Sequence, residues 1–146
     1  MKDCLIIGPT TAKHYDCIYG ILVDGTMKLG HRGYMEEAVF YFLDELGKTI
    51  RYPANIYTTL EVHRGKQFIP TKTYEPDKYP TYDNYPAIEC KFKNNLPTDY
   101  KGKIGVPTSF FFYYPDLPYE ILEHRGDLKI NGKAVFERLI IRRKQL

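Results

Sequence analysis

The most restrictive feature of this 146-residue chain is an α/β element that starts almost at once and is then not continued. Cys4 to Ile7 is an apolar run closed by Gly8-Pro9, the pattern of a strand buried in a parallel sheet. Thr10 and Thr11 are placed to cap a helix through AKHYDCIYGILV, where Tyr15, Ile18, Tyr19 and Leu22 fall at i, i+3, i+4 and i+7 on one face. Asp24-Gly25 ends that helix, and TMKLG reads as a second strand. This is one βαβ unit, yet a parallel sheet needs both faces covered and does not stand on two strands. The missing strands must come later in the chain or from another polypeptide.

From Ala38 onward the chain is aromatic and β-branched. AVFYFLDEL and KTIRYPANIYTTL flank a turn at Asp44 to Lys48 and predict antiparallel strands. Further strands are expected at Ala87 to Phe92 and in KIGVPTSFFFYYPD, with a short helical turn over Asp116 to Glu123. In LKINGKAVFERLIIRR, Asn131-Gly132 sits between two alternating runs and predicts a β-hairpin with a type I′ turn. The expected class is α+β: a βαβ part over residues 1–33, then a mainly antiparallel β-rich region over 34–146 with a C-terminal hairpin. The boundary is expected near Arg32 to Glu36, within one compact unit.

Composition narrows function by exclusion. A net charge of +3 and a pI of 8.6 permit nucleic-acid binding without requiring it. The cysteines Cys4, Cys17 and Cys90 include no Cys-x-x-Cys pair, which argues against a zinc ribbon or a thioredoxin-like site. Cys4 and Cys17 stand in apolar company and are expected to be buried thiols in a reducing, cytoplasmic setting. The N-terminal apolar run is too short for a signal peptide, and no stretch approaches a membrane span. His14, His31, His63 and His124 lack metal-ligand spacing, so no metal is expected. The Gly8-Pro9-Thr10-Thr11 turn occupies a position where anions bind, but has neither dinucleotide-loop glycines nor a Gly-Lys-Ser/Thr ending.

Two segments carry candidate binding chemistry. In EVHRGKQFIPTKTY, His63, Arg64, Lys66 and Lys72, with Lys78 beyond, set cations among Phe68, Tyr74 and Tyr79. Cations hold phosphates while aromatic faces stack bases, although a solvated loop with tucked-in rings fits the same spacing. In KYPTYDNYPAIE, prolines favour polyproline II, whose three residues per turn would align Tyr79, Tyr82 and Tyr85 along one edge. That row would serve as a stacking surface or as a structural strap, with Tyr79 and Tyr85 the more structural members.

YPTYDNYPAIE, then LPTDYKGKIGVPTSF, then YEIL and INGKAVFERLIIRRK closely resemble the C-terminal half of EcoRI-type adenine-specific DNA methyltransferases. CLIIG and LGKTIRYPANIYTTLE are similar to upstream segments of that family in the same order, with Tyr57 and Thr59 departing from its pattern. The family's Phe-x-Gly-x-Gly loop for S-adenosylmethionine and its Pro-Pro motif for the extruded adenine have no counterpart here, so no catalytic or cofactor residue carries over. The resemblance implies a remnant of a methyltransferase-like sheet followed by a DNA-recognition region of an adenine-N6 methyltransferase, without activity or cofactor of its own. It places DNA contacts at Arg64, Lys66 and Lys72 for phosphates, and at Tyr82 and Asn84 for bases or grooves. The implied partners are DNA and a separate chain carrying the other half, or a second copy. The alternative is a non-enzymatic interaction or dimerising module derived from such an enzyme, for example a phage or mobile-element regulator of host defence.

Overall fold

The structure is a computed structural model that describes residues 3–30, 38–62, 69–114 and 117–144. The chain divides into two compact units, Met1–Gln67 and Phe68–Leu146. One α-helix among mostly β elements, as found here among the described residues, agrees with an α+β class. No described helix is long and apolar enough to cross a membrane.

The first unit is organised by one long strand. It contains β1 (Leu5–Pro9), helix α1 (Asp16–Val23), β2 (Lys28–Gly30), β3 (Ala38–Leu43) and β4 (Thr49–Thr58). Every pairing of this four-stranded sheet is antiparallel and made to β4. β1 pairs Leu5 to Pro9 with Thr58 to Ala54, and β2 pairs Lys28 to Gly30 with Thr58 to Ile56 on the opposite edge. β3 continues along the β2 side, from Ala38 opposite Ala54 to Leu43 opposite Thr49. The strand, helix and strand of the sequence reading are all present. β1 and β2 run in the same direction but have β4 between them, so they are not adjacent partners in a parallel sheet. This is a correction with a simple cause: the run Thr49–Thr58 supplies ten extended residues with two pairing edges. The boundary expected after residue 33 lies outside the described residues, and by pairing β3 and β4 group with β1 and β2.

Local chemistry explains the turns. Thr10 and Thr11 do not cap the helix: Thr10–His14 forms a 3-10 turn, Tyr15 breaks it with φ −75° and ψ 132°, and α1 follows with no side-chain cap. Tyr15 therefore points away from the expected face and is exposed. Asp24-Gly25 closes α1 as expected, with Gly25 at φ 76° and Asp24 Oδ1 accepting the Thr26 N–H at 2.7 Å. At the β3–β4 turn, Asp44 Oδ1 accepts the N–H groups of Leu46 and Lys48 at 3.0 and 2.7 Å. Burial in this unit centres on Leu22, Met27, Leu29, Ala54 and Tyr57. β1 is not the buried strand the sequence predicts, because as an edge strand it leaves Leu5, Ile6 and Ile7 between 49% and 55% exposed. Cys17 is likewise exposed rather than buried, while Cys4 is half-buried and Cys90 buried.

The second unit is a four-stranded sheet in the order β5-β6-β10-β7, built from β5 (Ala87–Glu89), β6 (Lys103–Pro107), β7 (Tyr119–Arg125) and β10 (Arg138–Arg143). A small hairpin, β8 (Lys129–Ile130) with β9 (Lys133–Ala134), precedes β10. β5 and β6 are parallel, and the other pairings within the sheet are antiparallel. The segment expected to turn helically before Glu123 is strand from Tyr119, because Tyr119 and Ile121 alternate inward and pair with β10. The Asn131-Gly132 turn has φ values of 50° and 75°, both positive as a type I′ turn requires. β10 anchors the core, with Leu139, Ile140 and Ile141 fully buried. Each such side chain stabilises the fold by roughly 1.5–3 kcal/mol.

Gly105 in β6 lies beneath Tyr82, and a Cβ at this position would overlap the Tyr82 hydroxyl and ring. Overpacking of this kind costs about 1–3 kcal/mol. Gly105→Ala is therefore expected to lower stability by that amount in urea unfolding, and an unchanged midpoint would show that the Tyr82 ring moves freely.

Candidate nucleic-acid interface

The Tyr-Pro stretch does not form an aligned row. Pro80 to Tyr82 and Ala87 to Glu89 run antiparallel: the Tyr82 N–H donates to Ala87 O at 3.2 Å and the Glu89 N–H to Pro80 O at 2.7 Å. The chain reverses at Asp83 to Pro86, so the three rings diverge. The Tyr79 hydroxyl donates to Asn95 O at 2.6 Å, Tyr82 turns inward to Glu89, and Tyr85 reaches Glu123 while its oxygen accepts Lys103 Nζ at 2.6 Å. Asp83 and Asn84 clamp the β8–β9 hairpin. The Asp83 carboxylate accepts the N–H groups of Asn131 and Gly132 at 3.1 and 2.7 Å. Asn84 accepts the Lys129 N–H at 3.0 Å and donates to Asp127 O at 2.8 Å. Short polar side chains that satisfy backbone groups in this way stabilise turns.

Beneath the clamp is a buried ion pair. Arg138 donates from Nε to both Glu89 oxygens at 3.1 Å and from Nη2 to Oε1 at 2.9 Å. Its Nη1 donates to the carbonyls of Phe136 and Glu137 at 2.8 and 3.2 Å. Tyr82 donates its hydroxyl to the same carboxylate. Burial, then the bond to Glu89, pushes the Tyr82 hydroxyl well above the ordinary phenol range and keeps it a donor.

Beside this pair opens a cleft of about 460 Å³. It is lined by Tyr79, Pro80 and the segment Cys90 to Phe92, by Ile130, Ala134 and Val135, and by the Glu89–Arg138 pair. Lys78, Lys91 and Asn95 also line it. A smaller cavity of about 180 Å³ shares Lys78, Tyr79 and Asn95 and adds Lys72, Thr73 and Glu75. The residues lining the two include four cations (Lys72, Lys78, Lys91, Arg138) and two carboxylates (Glu75, Glu89). Lys78 pairs with exposed Glu75 at 2.7 Å, a solvent-screened contact of small value. Phe92 stays 62% exposed, with Lys91 Nζ 6.0 Å from its ring centre. The Cys90 thiol is pushed up to about 12 by burial and then by Glu89, so it is protonated and not a nucleophile at neutral pH. With its one carboxylate paired and its thiol protonated, this cleft is suited to binding rather than covalent chemistry.

Of the residues the sequence nominates, Arg64 and Lys66 lie outside the described residues. Lys72 is exposed on the smaller cavity, its carbonyl accepting the Thr98 N–H at 2.8 Å. Tyr82 is 5% exposed and packed with Ala87, Leu128 and Ile140, so its face is not presented for stacking. Asn84 is exposed, but both ends of its amide are engaged in the clamp. Lys91, Phe92 and Asn95 were not nominated. Their signal is the Lys-Phe-Lys triplet Lys91 to Lys93 just after a short buried strand, where an aromatic between cations leaves the sheet.

Comparisons with known proteins agree along nearly the whole chain. The family model for the adenine-specific methyltransferase EcoRI matches residues 1–144. The Type II methyltransferase M.EcoRI of Escherichia coli is 35% identical over 114 residues, covering 71% of this chain and 35% of its own length. M.MgeORF184P of Mycoplasma genitalium is 24% identical over 99% of this chain and 58% of its own length. M.MpnI of Mycoplasma pneumoniae is 25% identical over 61% and 35% respectively. The chain thus spans between about a third and three fifths of these relatives. No solved structure gives a significant match.

Removing one partner of a buried ion pair leaves an uncompensated charge and costs about 3–5 kcal/mol. Arg138→Met is expected to destabilise by that amount in denaturant unfolding. The double variant Glu89→Gln/Arg138→Met should lose less than the sum of the single variants, and strict additivity would refute the coupling.

Proposed function

Because the chain belongs to the EcoRI-type adenine-specific methyltransferase family, we propose that it is the DNA-recognition portion of an adenine-N6 methyltransferase of the restriction-modification kind and transfers no methyl group alone. The observation that supports this reading is the cleft of the second unit with the smaller cavity that shares its edge, where Lys72, Lys78 and Lys91 accompany an exposed Phe92. Lysines neutralise phosphates and release counterions, and an exposed aromatic ring offers a base contact. Arg64 and Lys66 are retained as phosphate contacts from sequence. Tyr82 and Asn84 are assigned to building the wall behind the cleft.

The proposal gives this chain no S-adenosylmethionine site of its own. Nucleotide cofactors of α/β sheets sit where a strand meets a helix N-terminus. Here β1 leads into the 3-10 turn Thr10–His14 rather than into a helix N-terminus, and Tyr57 donates its hydroxyl to Pro9 O at 3.0 Å. The cofactor is assigned to the remainder of a complete enzyme, on a separate chain in the split form of the proposal.

The test is DNA affinity by fluorescence anisotropy across a salt series. Lys78→Gln/Lys91→Gln should weaken binding and reduce the slope of log K against log [salt] by about two, as should Arg64→Ala/Lys66→Ala. An unchanged slope removes these residues from the interface. Methyl transfer to DNA by the purified chain would overturn the non-catalytic half of the proposal.

One observation favours a second reading, a protein-interaction or dimerising module of the kind a mobile element could use against host defence. Leu5, Ile6 and Ile7 form an apolar edge strand, and Tyr41, Leu43 and Leu46 are 67%, 67% and 93% exposed near the β3–β4 turn. Apolar edges pair with other chains unless charged or covered. Sedimentation velocity is expected to show self-association that Ile6→Lys abolishes, and a monomer at high micromolar concentration would discard a second copy as the occupant.

A further inference from the structure

We infer that the 460 Å³ cleft of the second unit receives one unstacked base of a nucleic-acid strand, with Phe92 as its stacking face. The inference rests on the DNA-binding reading above and specifies what the site takes. A groove that only tracked phosphates would set its cations where the anion lies. Here the inner cation is already committed: Arg138 gives Nε and Nη2 to Glu89 and Nη1 to two backbone carbonyls. The charge of Arg138 is therefore balanced by Glu89, while Lys78 and Lys91 are exposed.

The walls suit a flat, neutral heterocycle. Tyr79, Pro80, Ile130 and Val135 give the lining apolar surface, and the volume falls within the usual range of small-ligand sites. Phe92 presents most of its ring to solvent at this cleft, where a base would cover it. Asn95 lines the same cleft, and among the described residues its side-chain amide makes no hydrogen bond, leaving a donor and an acceptor for a base edge. A base in the cleft leaves its flanking phosphates near Lys78 and Lys91. A fully paired duplex cannot enter, because its bases are stacked on both faces.

The experiment compares two labelled duplexes of the same sequence, one fully paired and one with a single-nucleotide bulge, using the full 146-residue chain. Wild type is expected to bind the bulged duplex at least about five-fold tighter, the lower end of measured base–aromatic stacking. Phe92→Ala should lose that preference, losing more affinity for the bulged duplex than for the paired one, and Phe92→Tyr should keep it. Because Phe92 is largely exposed, circular dichroism of the alanine variant is expected to match wild type. Equal affinity of wild type for both duplexes, or a preference untouched by Phe92→Ala, overturns the inference and leaves the DNA-binding reading standing. Failure of wild type to bind either duplex overturns both.

Discussion

The second unit depends on one buried carboxylate. Glu89 sits at the end of β5, takes two arms of Arg138 from β10, and accepts the Tyr82 hydroxyl from the Tyr-Pro turn. Neither charge is tolerable alone in that interior, so the pair forces β5, β10 and the turn to arrive together. Gly105 in β6 completes the arrangement, because the Tyr82 ring occupies the space a side chain would need. Tyr82-Asp83-Asn84-Tyr85 and Gly105-Val106-Pro107, distant in sequence, are thus two sides of one contact. One segment supplies the ring, the other the gap it fills.

The same contact positions the cleft. With Asp83 and Asn84 holding the β8–β9 hairpin from one side and the ion pair holding β10 from below, Ile130 and Val135 are fixed in the lining of the cleft with Tyr79 and Pro80. Of the side chains the sequence nominates for DNA contact, Tyr82 and Asn84 are spent on building this frame. On the proposed reading, those that meet a ligand, Lys78, Lys91, Phe92 and Asn95, are less conspicuous. A site of this type has a rigid rear and an exposed rim, the arrangement expected of preorganised binding.

How much was legible follows from the range of the interactions involved. The Asn131-Gly132 turn was readable because two successive positive φ values need those residues, whatever surrounds them. The Asp24-Gly25 stop and the turn ahead of Gly47 were readable for the same local reason. The burial of β1 and the neighbours of β2 were not, since an apolar run of four or five residues fits an edge strand as well as a central one. The strand Tyr119–Arg125 was not legible, because its short alternation becomes decisive only on pairing with β10. At the site, cations and aromatics could be counted, but their mutual use as hydrogen-bond partners could not.

By itself, the sequence determined most of the element types, several local turns and membership of a methyltransferase family, because propensity, turn chemistry and motif order act over a few neighbouring residues. Only the tertiary structure decided that β4 separates β1 from β2, that the tyrosines of KYPTYDNYPAIE diverge, and that Tyr82 packs on Gly105. Those outcomes turn on contacts between residues tens of positions apart, such as Glu89 with Arg138. The cost of burying a charge selects among strand arrangements that local sequence leaves equal.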